Sequence, residues 1–456
     1  MIDLIMNDIL GTPAILVGLF ALLGLLLQRS PITNVISGTL KTVMGFVILG
    51  AGAGVIVGSL DQFTNMFEHA FDIQGVIPNN EAIVALAQDA FGTETAMIML
   101  FGMIVNILLA RLTPFKYIFL TGHHTMFMAC MIAVILMTGG MEGFALVFVG
   151  SIILGSLMVL MPALVAPYTR KITGSNDFTV GHFGSIGYFV AGYVGEKVGK
   201  NSRSTEELKV PKSLGFLRDT SVAVSLTMFI LFFIVALFAG QTFIETELSG
   251  GANFLVFAFL QGLTFAAGVY IILAGVRMLL AEIVPAFKGI ADRVVPNAIP
   301  ALDCPAVFPF ANNAVIIGFF FSFIAGLISM FLLPLFGLRV IVPGLVPHFF
   351  TGAAAGVFGN ATGGRRGAIL GAMANGFLIS FLPALLLPVL GTLGFEGTTF
   401  GDSDFGVVGI LLGGVVELFS SPAVFITVIL GILAAIFALG YIKNKKNPPS
   451  DQSANL

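Results

Sequence analysis

The sequence predicts an all-α polytopic membrane protein, with about eleven transmembrane helices in two inverted repeats, re-entrant hairpins and amphipathic helices. Three observations carry this. The 456 residues are 57% hydrophobic and only 10% charged, and the mean hydropathy is +1.02, a balance that soluble globular domains of this size do not have. Uncharged runs recur at 42–60, 143–169, 220–240, 252–276, 367–395 and 418–442, each long enough for a spanning helix, which needs roughly 17–25 apolar residues. Polar, helix-breaking stretches return at matching places in the two halves of the chain.

Taken in order, the expected spans lie near 9–28, 42–60, 95–111, 117–139, 143–169, 220–240, 252–276, 310–335, 340–361, 367–390 and 418–442. Lys and Arg are retained on the cytoplasmic side, so the basic loop 197–218 and the C-terminal "KNKKN" are expected inside. Five spans precede that loop, which puts the N-terminus outside and the C-terminus in the cytoplasm. Arg29/Lys41, Arg111/Lys116, Arg277/Lys288/Arg293 and Arg365/Arg366 then also fall inside, and Arg339 is the misfit. The acidic opening "MIDLIMND" does not read as a cleaved signal peptide.

Four segments, 76–92, 172–190, 297–309 and 392–408, are rich in Gly, Pro, Asn or acidic residues yet apolar enough to enter the membrane. Irregular backbone at that depth is tolerated where protein or a flooded cavity satisfies it, so these are expected to be re-entrant hairpins. The segments 61–72 and 283–295 read as amphipathic interfacial helices.

The repeat answers why so apolar a chain keeps "IPNNE" at 77–81. Its twin is "IPALD" at 299–303, 222 residues later. Further matches keep nearly the same spacing: "FVILGAG…LDQF" (46–63) with "YIILAGV…VPAF" (270–287), Gly122 with Gly344, "MPALVAP" (161–167) with "LPALLLP" (382–388), and "VGH" (180–182) with "FGD" (400–402). Equivalent positions are separated by five spans, an odd number, so the halves run oppositely through the membrane. Inverted repeats with interrupted segments at matching places point to a transporter whose site lies at those breaks. Repeat one is expected over about 9–190, repeat two over about 220–408, and a final span over about 418–442. Glu81 and Asp303 are expected to converge from opposite faces.

Other classes are weakly supported. Cys130 and Cys304 allow one pair and no metal-binding spacing. Five histidines include His123–His124 but no Glu-flanked zinc motif, so no metal and no cofactor are expected. Basic residues sit in short loops, which gives no nucleic-acid signature.

With these motifs placed, the chain resembles the membrane (IIC) subunit of the ascorbate-type phosphoenolpyruvate-dependent sugar phosphotransferase system. The resemblance covers nearly the whole chain and rests on "GTLKTVMGFVILGAGAG", "FLTGH", "VGH", "LKVPKSLGFLRD", "GVRMLLAEIVPAFKGI" and "AIPALDC…FANNAV". It implies one IIC membrane domain over 1–456 with no IIA or IIB domain, in an inner-membrane homodimer surrounded by lipid. It also implies elevator-like motion of a core against a V-shaped scaffold, and a separate cytoplasmic IIB subunit, itself served by IIA, that phosphorylates the sugar. On this reading the chain is a transport subunit rather than an enzyme. Its ligand positions fall on Asn80, Glu81, His123, His182 and Asp303. The family's ascorbate pattern has glutamines where this chain has Phe127 and Phe183, which leaves the sugar acid or polyol open.

Each residue also has a plainer reading. A lone carboxylate in an apolar run, such as Asp303, is costly and by default marks function, although it could cap a helix. Glu81 reads similarly, with polar Asn79 and Asn80 beside it. His123 could bond a backbone carbonyl, and His182 and its repeat partner Asp402 could be structural. Phe127 and Phe183 suit packing, or the wall facing a sugar ring. Cys304 reads as inert packing. The competing function is a proton- or sodium-coupled transporter of a small polar solute, with Glu81 and Asp303 as coupling carboxylates.

Overall fold

The computed structural model describes residues 12–71, 75, 76, 78, 80–208, 220–391, 399–419 and 422–446. Apart from three short strands, its regular structure is helical. The helices are α1 (Pro13–Leu27), α2 (Ile32–Phe71), α3 (Asn80–Leu112), α4 (Gly122–Thr138), α5 (Gly143–Thr173), α6 (Ser185–Val198) and α7 (Thr220–Ala239). They are followed by the single turn α8 (Gln241–Phe243), α9 (Phe254–Arg293), α10 (Asn312–Leu332), α11 (Leu345–Gly391), α12 (Ser403–Leu418) and α13 (Pro422–Lys446).

Among the described residues, six helices are long and apolar enough to cross a membrane: Ile32–Phe71, Thr93–Leu112, Gly143–Thr173, Phe254–Ile283, Asn312–Phe336 and Val346–Leu390. A seventh arises if the pair Met228–Ala239 and Gln241–Leu248, bent by 106°, counts as one. Gly18–Leu27, Gly122–Thr138 and Ile426–Ala438 are shorter apolar helices. Exposed Leu19, Leu23, Leu40, Leu108 and Phe331 are at home only against lipid or another apolar surface.

Two expectations need correction. The segments 61–72 and 283–295 are not separate interfacial helices. Residues through Phe71 continue α2, and those through Arg293 continue α9, each helix being 40 residues long. No glycine or proline interrupts 59–71, and Pro285 sits inside α9 without ending it. At 1.5 Å per residue each helix is about 60 Å long, twice the hydrocarbon core, so its polar end projects beyond the membrane. Likewise, of the segments expected to be re-entrant hairpins, 76–92 is overturned because α3 runs unbroken from Asn80 to Leu112, and 297–309 is not a pair of helical arms. It is a strand, Ile299–Leu302, followed by a 3-10 turn, Cys304–Phe310.

The matched segments 46–63 and 270–287 pack on each other, because α2 and α9 run side by side with glycines at the crossing. A Cβ on Gly275 would lie 2.5 Å from Leu49 N and 2.8 Å from Gly45 O. A Cβ on Gly52 would lie 2.7 Å from Ile272 N. Backbone cannot retreat cheaply at such distances, and small residues of this kind let membrane helices approach closely.

α11 is broken at Gly364, whose φ of 56° and ψ of −147° only glycine adopts readily. Its 47 residues are enough for two crossings. The described part of the basic loop docks on this break. Arg365 N donates to Arg203 O at 2.8 Å, the Arg365 guanidinium donates to Glu207 O at 2.9 Å, and Thr205 N donates to Asn360 Oδ1 at 2.9 Å. The Glu206 carboxylate accepts Asn313 N at 3.1 Å, which satisfies a free N–H in the first turn of α10.

Candidate functional site

Three short strands organise the centre. β1 (Tyr117–Phe119), β2 (Thr179–Val180) and β3 (Ile299–Leu302) form a parallel sheet in the order β1–β3–β2. Tyr117, Ile118 and Phe119 pair with Ile299, Pro300 and Ala301. Thr179 and Val180 pair with Ala301 and Leu302. Proline is awkward in a central strand because it lacks an N–H. Here Ile299 N and Ala301 O face β1, bonding Lys116 O at 2.8 Å and Leu120 N at 2.9 Å. Pro300 therefore faces the other side, one residue before β2 begins, where no ladder bond is lost.

Parallel strands deliver their C-terminal ends to one edge. At that edge stand Thr121–Gly122–His123 after β1, Gly181–His182 after β2, and Asp303 after β3. The Thr121 hydroxyl donates to Gly181 O and ties the first two ends together. Gly181 N donates to Leu302 O at 2.6 Å and ties the last two. Helical turns leave from the same edge: α4 at Gly122, α6 at Ser185 and the 3-10 turn at Cys304.

Asp303 lies between two imidazoles. Its Oδ2 is 3.6 Å from His123 Nε2, and its Oδ1 is 3.8 Å from His182 Nε2. Oδ1 also accepts Cys304 N at 2.7 Å, capping the 3-10 turn. The imidazole contacts are longer than hydrogen bonds, so the carboxylate keeps accepting capacity. The Asp303 side chain is 12% exposed and that of His123 37% exposed, against 4% for His182. The edge is thus open on the His123 side. His182 Nδ1 is held by Gly184 N at 3.0 Å and by the Tyr188 hydroxyl at 2.9 Å.

The second half of the chain closes the site from α12. Asn80, the first residue of α3, donates from Nδ2 to Asp402 Oδ2 at 2.8 Å and accepts Gly401 N at 2.8 Å. Fully buried Asp404 accepts Ile186 N at 2.8 Å, Ser185 N at 3.0 Å and the Ser403 hydroxyl at 2.9 Å. The Ser403 hydroxyl oxygen accepts Gly187 N at 3.0 Å. The first turns of α6 and α12 are thereby joined. Val76, four residues before Asn80, bridges to Ile341.

The structure therefore brings His123, His182 and Asp303 together and sets Asn80 against Asp402. Glu81 begins α3 beside Asn80, but its side chain lies outside the described residues. Phe127 is buried with its ring 5.8 Å from His123. Phe183 is fully buried, stacked on Phe119 at 4.9 Å and packed against the Phe405 ring at 5.7 Å. It occupies a packing position behind the histidines.

Sequence reasoning passed over His124, Tyr188, Ser403 and Asp404. The ring of His124 lies 3.8 Å from that of His182. For Ser403 and Asp404 a signal existed: "GDSDF" places capping residue types directly before an apolar helix. On proximity alone His124, His182 and Asp402 could hold a metal ion, with one ligand atom each, all within 4.8 Å of one another.

A family model described as EIIC-GAT, the PTS system sugar-specific permease component, matches residues 8–404. Among curated proteins, the "Ascorbate-specific PTS system EIIC component" of Mycoplasma pneumoniae is 30% identical over 430 residues, covering 82% of this chain. The match spans 64% of that relative's own length.

Proposed function

Since the chain belongs to the family of sugar-specific permease components of the phosphotransferase system, we propose that it carries ascorbate, or a related sugar acid or polyol, across the membrane. The observation that carries this is the meeting of three strand ends around Asp303, with His123 and His182 on either oxygen. A carboxylate flanked by imidazoles offers acceptor and donor groups at one edge, which suits a small polyhydroxylated solute. The substrate set comprises Asn80, Glu81, His123, Phe127, His182 and Asp303. Phe183 contributes by fixing the wall behind them. The name of the Mycoplasma pneumoniae relative supports ascorbate as the first solute to test.

Phosphorylation is assigned to a separate cytoplasmic IIB subunit fed by IIA, with this chain acting as the transport subunit of a homodimer. α1 to α5, α7, α9, α10, the two arms of α11 and α13 would supply eleven crossings, with α6 and α12 as the re-entrant arms of two inverted repeats. A core built on the sheet would move as a body against the long α2–α9 pair, in the manner of an elevator. Uptake of radiolabelled ascorbate by membrane vesicles containing the chain and its IIB and IIA partners is expected to require phosphoenolpyruvate and to survive collapse of the proton gradient. Uptake that follows the gradient and ignores phosphoenolpyruvate would instead make the chain a coupled secondary transporter.

Orientation follows from the charges, with the loop after α6 inside and the N-terminus outside. Lys200 is exposed in that loop, whereas both native cysteines are buried. A Lys200→Cys variant should resist membrane-impermeant thiol reagents in intact cells and react once the cells are opened. Labelling in intact cells would reverse the topology.

A further inference from the structure

The contacts of His182 fix which of its nitrogens carries a proton. Gly184 N donates to Nδ1 at 3.0 Å, and a backbone amide can only donate. Nδ1 is therefore the accepting nitrogen, and the neutral ring carries its hydrogen on Nε2. The imidazolium is disfavoured by the same contact, since its Nδ1–H would face the amide N–H. Tyr188 OH, 2.9 Å from Nδ1, must then donate too. The arrangement is rigid. Tyr188 is fully buried with its ring stacked on Phe358 at 5.4 Å, and the Ser185 hydroxyl holds His182 O at 2.7 Å. The contact also counts against a metal on His182. Ligation through Nε2 would displace that proton and set an Nδ1–H against the Gly184 amide.

We propose that His182 is a locked N–H donor at Nε2, with Tyr188 as its positioning residue. On this assignment the substrate places an accepting oxygen (carbonyl, carboxylate or enolate) at His182 while a neighbouring hydroxyl donates to Asp303. The proposal rests on the substrate-site reading above and narrows it. The solute class is one with an acceptor oxygen beside a hydroxyl, as in a sugar acid, rather than a solute that offers only donors at that point.

The lock can be read without any substrate. The chain has five histidines, so long-range 1H–15N correlation on [15N]histidine-labelled protein in detergent resolves their tautomers, with His182 assigned by its loss in a His182→Gln variant. The expected result is an unprotonated Nδ1 and a protonated Nε2; a protonated Nδ1 overturns the proposal. Tyr188→Phe keeps the ring and removes one hydrogen bond. The Gly184 amide still donates to Nδ1, so Nε2 should stay protonated, while the Nδ1 resonance shifts and L-ascorbate binding weakens roughly 3- to 10-fold. An unchanged spectrum and affinity in folded protein overturn the role of Tyr188. Should Tyr188→Phe not fold, His182→Gln, which keeps an N–H, is expected to bind ascorbate at least tenfold more tightly than His182→Leu. Equal binding by these two overturns the donor role. If wild-type protein binds neither ascorbate nor a hexitol, the functional reading fails, while the tautomer result still stands or falls by itself.

Discussion

Asp303→Asn should weaken binding of the transported solute by about 10- to 150-fold while the protein still inserts and folds. The magnitude is that of one hydrogen bond to a charged group, roughly 1.5–3 kcal/mol, at a factor of ten per 1.4 kcal/mol. The carboxylate oxygens face His123 and His182 without closing hydrogen bonds to them, so both can accept from ligand hydroxyls. An amide replaces one of those acceptors with a donor. Folding is spared because Asn retains an oxygen for Cys304 N, the contact that starts the 3-10 turn, and because a partly buried charge is removed rather than stranded. Isothermal titration of purified, monodisperse protein checks the prediction. Affinity within threefold of wild type would remove Asp303 from the site.

Asp404→Ala acts differently, on the fold itself. The Asp404 side chain accepts two backbone N–H groups from the first turn of α6, and a hydroxyl from Ser403, at full burial. Alanine leaves the buried Ser185 amide and the part-buried Ile186 amide without partners. Each buried unsatisfied donor costs about 1–3 kcal/mol, so the two amides together imply a loss of roughly 2–6 kcal/mol. Asp404→Asn keeps one oxygen and should lose about half as much. The readout is the apparent melting temperature of detergent-purified protein, expected to rank wild type above Asn above Ala. Equal melting for wild type and the Ala variant would show that the joint between α6 and α12 is not structural. Ligand affinity should fall in parallel, because His182 stands three residues before Ser185 and is held by the same turn.

The sequence picked out residues that meet at the strand ends, His123, His182 and Asp303, more readily than the architecture that brings them together. Asp303 stood out because a lone acid in an apolar run is expensive, and His182 fell in the polar break 172–190, whereas His123 lay inside an expected span, 117–139, and was singled out by the family motif "FLTGH". The apolar runs located the long helices. The sheet was invisible for a physical reason: strands of two to four residues are too short to show a period of two, and their partners lie up to 182 residues away in sequence, as in Tyr117 and Ile299. The continuity of α2 was missed because "DQFTNMFEHAFD" is polar, and polarity was read as a boundary. A helix ends where its backbone is interrupted, and nothing from Asp61 to Phe71 interrupts it. The role of Asp404 was hidden because its partners, Ser185 and Ile186, lie 219 and 218 residues away in the chain.

The strand order has a consequence for biosynthesis. β1 and β2 are both made early, yet neither bonds the other; β3, made last, lies between them. Until residues 299–302 leave the ribosome, the backbone groups that β1 and β2 offer to β3 have no partner, a costly state wherever water is excluded. Nascent chains up to that point therefore hold an unfinished centre inside inserted helices. Closure is a late, long-range event of the kind that folds slowly and is exposed to misassembly. A ribosomal pause or truncation before residue 299 would leave β1 and β2 made but unjoined, and the edge that carries His123 and His182 not yet assembled.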